Sequence, residues 1–161
     1  MKVYVGLHRG GGAMGRAIRL LSWSPYGHAS IRFGELQPTD VIFEADVKDG
    51  WRAKLASEVI GQVKWLEVPS LTRHQRMQAF IRATNLLGTK YDKFGVVRFL
   101  PIIRMFYSGA AFKTGERLFC SEGVFMILEG VGLPLLARLP AHKVEPGMLA
   151  YSPYLVEPEA A

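Results

Sequence analysis

Along the chain, short apolar runs alternate with turn-forming clusters, and two longer stretches carry a helical period. Val3 to Leu7 (VYVGL) reads as a short strand, followed by the flexible turn His8-Arg9-Gly10-Gly11-Gly12. Met14, Ala17, Ile18 and Leu21 are spaced as on one side of a short helix, with Arg16 and Arg19 on its outer side. From His28 to Phe33 the pattern alternates. His28, Ser30 and Arg32 fall on one face and Ala29, Ile31 and Phe33 on the other, as in a half-buried strand. Val41 to Val47 (VIFEADV) predicts a second strand, paired with the first as a hairpin, and Val63 to Val68 a third.

Thr72 to Leu87 is the strongest helix. Thr72 and Gln75 form a capping-box pattern, Met77, Phe80, Ile81, Thr84 and Leu87 make the apolar stripe, and Gly88 supplies the stop. Glu122 to Val131 predicts a second helix, stopped at Gly132. Phe94 to Phe112 is apolar but broken by Arg98, Pro101 and Arg104, and reads either as interrupted helical turns or as the cover of a groove. The tail from Lys143 to Pro158 predicts a last strand between prolines. No repeat or linker divides residues 1–161. The order of elements predicts one α+β domain, with a small antiparallel sheet and helices packed on it.

Composition adds three constraints. The net charge of +6 reads first as a solvated basic surface and is compatible with an acidic partner, such as an anionic polymer or a lipid head group. The basic residues are scattered, without a Lys/Arg block or a nucleic-acid motif, so no specific nucleic-acid partner is expected. The single cysteine forbids an internal disulfide. The N-terminal sequence lacks the apolar core of a signal peptide and 94–112 is a poor membrane span, so a cytoplasmic location is the expectation. The histidines have no metal-ligand spacing to one another or to Cys120, so neither a metal nor a cofactor is expected.

The candidate chemistry centres on that cysteine. Phe119-Cys120-Ser121-Glu122 opens an apolar helix, where unpaired backbone N–H groups and the helix dipole favour a thiolate. The same N–H groups can hold an oxyanion. Free cysteine is equally at home as a small buried hydrophobe, and placement alone leaves the two readings even. A nucleophilic cysteine needs a base oriented by a third group. Of His8, His28, His74 and His142, His28 is the one that opens a strand. Glu44 is its candidate partner across the hairpin, and Asp46, two residues on and on the same face, is the fallback.

RAIRLLSWSPYGHASIRF, then VIFEAD, then LLGTKYDKFG, then FCSEGV resembles the permuted NlpC-like, papain-fold cysteine hydrolases of the YiiX/YaeF-like group, from about Val3 to Tyr151. In these the His strand precedes the Cys helix. The resemblance implies Cys120 as nucleophile, His28 as general base, Glu44 as orienting acid and Tyr91 assisting the oxyanion. The activity it implies is thiol-dependent hydrolysis of an amide or ester through a thioester, on a small peptide, amide or lipid substrate. Two other readings share the fold: a lipid-directed acyltransferase or thioesterase, and a catalytically silent binding module.

Overall fold

A computed structural model describes residues 1–9, 12–92 and 117–159 of the chain. Five strands form one antiparallel sheet: β1 (Lys2–His8), β2 (His28–Gly34), β3 (Val41–Asp46), β4 (Gly50–Leu55) and β5 (Val63–Glu67), in the spatial order β4-β3-β2-β1-β5. Three α-helices are described: α1 (Ala13–Ser22), α2 (Arg73–Asn85) and α3 (Cys120–Glu129). A separate parallel pair joins β6 (Lys90–Tyr91) to β7 (Arg117–Leu118). This is the α+β architecture that the sequence predicts, with β4 and the short pair added.

The sheet's central strands are buried on both faces, so Ser30, Arg32 and Glu44 lie inside as well as Ala29, Ile31 and Phe33. Buried polar groups must find partners. The Arg32 guanidinium accordingly donates to Asp40 at 2.8 Å. α3 packs against β2 and β3, and its Val124, Phe125, Ile127 and Leu128 are fully buried. Each such side chain contributes about 1.5–3 kcal/mol.

The capping box at Thr72 is present: its hydroxyl accepts the Gln75 N–H at 3.2 Å. The face of α2 differs from the predicted stripe. Met77 and Ile81 are exposed, while Ala79 and Ala83 are buried. Small residues let this helix approach closely, so that the Trp51 indole N–H donates to the Ala83 carbonyl at 2.9 Å. Phe80 then meets Phe33 and Phe43 edge to face. The tail is not a full strand. Pro146–Tyr151 forms a 3₁₀ turn, and among the described residues a single bridge between Val156 and Glu67 extends the sheet there. The segment 94–112 lies outside the described residues.

Candidate active site

The sheet register brings the chemistry together. β2 begins at His28, and Ser30 stands opposite Glu44 on β3, so His28 and Glu44 are diagonal neighbours on one face. A long acidic side chain spans that diagonal. His28 Nε2 lies 3.1 Å from Glu44 Oε2. The other oxygen of Glu44 receives Arg52 Nη2 at 2.9 Å and Lys54 Nζ at 2.8 Å, both from β4. Burial on its own would raise the Glu44 carboxyl. His28, Lys54 and Arg52 outweigh it and hold the group well below the usual carboxylate range.

Cys120 is the first residue of α3, after an extended Phe119. The Glu122 carboxylate reaches back to accept the Phe119 N–H at 3.3 Å. The Ser121 hydroxyl ties the helix start to the Val144 carbonyl at 2.5 Å. Gly123 allows a close approach, since a Cβ there would lie 2.3 Å from the Trp51 ring. The N-terminus of α3 is thereby pressed onto the sheet beside His28.

His28 lies close enough to the Cys120 sulfur for the two to interact electrostatically. With Nε2 engaged by Glu44, Nδ1 is the nitrogen left for it. Burial alone would lower the His28 pKa. Cys120 and Glu44 together push it up to about 10.

Tyr91 reaches the same place along the β6–β7 pair, where it stands beside Leu118, two residues before Cys120. Its ring meets Phe119 edge to face at 6.2 Å. Burial, with Cys120, Asp92 and Asp46 around it, lifts its hydroxyl above the ordinary phenol range and keeps it a proton donor. Asp46 is placed differently. It accepts the Lys48 N–H at 2.8 Å in the β3–β4 turn and pairs with Arg52 at 3.3 Å, whereas Glu44 makes the contact to His28.

A cleft of about 310 Å³ opens over these groups, lined by His28, Glu44 and Tyr91 together with His8, Met14 and Ile18. Cys120 itself is fully buried and is not among the residues that line the cleft.

His8 departs from the sequence reading. It closes β1 directly opposite His28, is buried, and bonds Ser30 Oγ through Nε2 at 2.8 Å. Its ring stands edge-on to His28 at 4.9 Å. Burial and the neighbouring His28 charge lower its pKa to about 3, so it is neutral. The signal was available in the register: residues 8 and 28 pair when VYVGLH and HASIRFG form an antiparallel ladder.

That pairing also gathers donor atoms of His8, His28 and Glu44 within 4.8 Å of one another, which spacing along the chain did not reveal. The set does not fit a resident metal. Glu44 already neutralises two fixed cations, Arg52 and Lys54, and the His8 Nε2 is taken by Ser30. A divalent ion on the remaining Glu44 oxygen would sit beside two cations that the fold itself supplies, on a carboxylate whose charge they already neutralise.

No family model matches the chain, and no curated protein matches its sequence. Among solved structures it is similar to the metalloprotein yiiX from Escherichia coli O157:H7, DUF1105. The two share 17% identity over 97% of this chain and 94% of that one, with a TM-score of 0.68. The strand-borne histidine and the helix-borne cysteine therefore sit on a YiiX-like fold.

Proposed function

We propose that the protein is a thiol-dependent hydrolase that cleaves an amide or ester through a thioester on Cys120. The observation that carries this reading is one imidazole anchored by Glu44 at Nε2 beside Cys120, the first residue of α3. That is the nucleophile, base and orienting acid of a triad.

The Cys120 thiolate attacks the carbonyl carbon, and the negative charge moves onto the carbonyl oxygen. First-turn N–H groups of α3 and the Tyr91 hydroxyl are the donors for that oxyanion. The His28 imidazolium gives its proton to the departing amine or alcohol as the C–N or C–O bond breaks, leaving a thioester. His28, now neutral, takes a proton from water. The hydroxide adds to the thioester, and collapse releases the acid and restores the thiolate. Glu44, fixed by Arg52 and Lys54, stabilises the imidazolium throughout. The metal in the name of yiiX does not enter this scheme, for the electrostatic reason given above.

The test is incubation with p-nitrophenyl esters, with intact-mass detection of an acyl group on Cys120. A hydroxylamine-labile adduct that Cys120→Ala lacks is the expected result. Undiminished turnover by Cys120→Ala would overturn the proposal.

A second reading has its own observation, the complete burial of Cys120. On it the protein is a silent binding module that keeps the cleft, and the sulfur serves packing alone. It predicts that no adduct forms on Cys120.

A further inference from the structure

The basic charge is unevenly distributed. All fourteen acidic residues follow Gly34, so residues 1–34 carry Lys2, Arg9, Arg16, Arg19 and Arg32 against no carboxylate. Lys2 and Arg32 are neutralised across the sheet by Glu67 and Asp40. Arg9, Arg16 and Arg19 make no ion pair among the described residues.

Two of these arginines lie on α1, which flanks the cleft. Its inner side presents Met14, Gly15 and Ile18 to the cleft, and a Cβ on Gly27 would collide with the Gly15 carbonyl, so the helix lies hard against the start of β2. The outer side carries Arg16, Leu20 and Trp23 in one stripe at helical spacing, with Arg19 beside it. Leu20 is 77% exposed and Trp23 91%. Trp23 also closes the helix in a left-handed conformation, φ 51°, a position that favours glycine or asparagine. With its ring in solvent, no packing within the described chain compensates for that choice. Ile60, 94% exposed, stands on the rim of the same cleft, in the loop whose Gln62 carbonyl accepts the Arg9 N–H.

From this we infer that the outer side of α1, with Arg9, docks the protein on an anionic phospholipid surface. Leucine and tryptophan enter the head-group boundary and the arginines meet lipid phosphates, the division of labour of an interfacial amphipathic helix. An anionic polymer or nucleic acid would satisfy the arginines but leave Leu20 without an apolar phase. A helix is about 10 Å across, so the cleft lies roughly one helix diameter from the lipid. On the acyl-transfer reading, which this inference uses only to say what is delivered, lipid-borne amides or esters come within reach of His28.

The experiment is co-sedimentation of the full chain with vesicles of phosphatidylcholine alone and of phosphatidylcholine with phosphatidylglycerol, followed by tryptophan emission. Trp51 is buried and Trp65 half-buried, so Trp23 is the indole in open water, and its transfer moves the emission to shorter wavelength. Wild type is expected to bind the phosphatidylglycerol vesicles, with the spectral shift, and not the neutral ones. Leu20→Ser/Trp23→Ser is expected to weaken partition tenfold or more and abolish the shift. Arg16→Gln and Arg19→Gln each cost roughly fivefold. Absence of wild-type binding overturns the inference, as does a Leu20→Ser/Trp23→Ser protein that binds equally well. Binding to heparin with no response to vesicles overturns it in favour of a polyanion partner. Cys120→Ala is expected to bind vesicles as wild type does, so failure of the hydrolase reading and failure of this one are separately visible.

Discussion

Replacing Glu44 by Gln keeps the size of the side chain and removes its charge. In the folded protein that charge accepts from His28 at 3.1 Å and from Lys54 at 2.8 Å, with Arg52 at 2.9 Å, at a side chain only 6% exposed. A hydrogen bond to a charged group contributes roughly 1.5–3 kcal/mol, which for His28 corresponds to about 1–2 pH units. Removing a nearby anion disfavours the imidazolium, so the direction is downward from about 10. The assay is an NMR titration of the His28 ring in wild type and Glu44→Gln, with thermal melts alongside. Glu44 is held in its ionised form, so its stabilisation is present above pH ~4.5 and is lost as pH falls below that value. The variant should therefore melt about 4–8 °C lower at neutral pH, from ~2 kcal/mol at 2–4 °C each, and the gap should narrow in acid. A His28 midpoint that does not move, or that rises, refutes the reasoning.

Other perturbations follow from the same geometry. His8 is held neutral with its pKa lowered to about 3. The unfolded chain therefore binds the extra proton, and stability rises with pH between about 3 and 6.5, by at most ~5 kcal/mol. Denaturant melts of His8→Gln across that interval should show a shallower pH slope, and an unchanged slope counts against the assignment. Gly123→Ala forces a methyl into the Trp51 ring and should cost about 1–3 kcal/mol by urea unfolding, with a matching loss of activity because the helix start shifts. Calorimetric titration with zinc should show no stoichiometric site at His8, His28 and Glu44, since Arg52 and Lys54 already neutralise the carboxylate. A tight one-to-one isotherm lost in His8→Gln would contradict that.

Local signals in the sequence made the α+β fold and the placement of the candidate residues legible, and the packing around them less so. His28 opening a strand, Glu44 on the next strand and Cys120 at a helix start are legible from alternation and from the apolar run after Cys120, and the structure brings these three side chains to one place. Long-range packing was not legible. The buried face of α2 carries Ala79 and Ala83 and is set by the close approach of Trp51 to Ala83, which a stripe of large apolar residues cannot show. β4 reads poorly because Arg52 and Lys54 interrupt its pattern, and they do so because Glu44 needs them. His8 looks like part of a glycine turn until β1 is registered against β2.

The most direct test of the account is the rate of Cys120 alkylation by iodoacetamide across pH, in wild type and in His28→Ala. The account predicts labelling that stays fast at mildly acidic pH, well below the ~8.5 of a free thiol, and that slows when His28 is removed. Labelling that rises only near the free-thiol value and ignores His28 would contradict it, and would leave Cys120 as packing in a binding module.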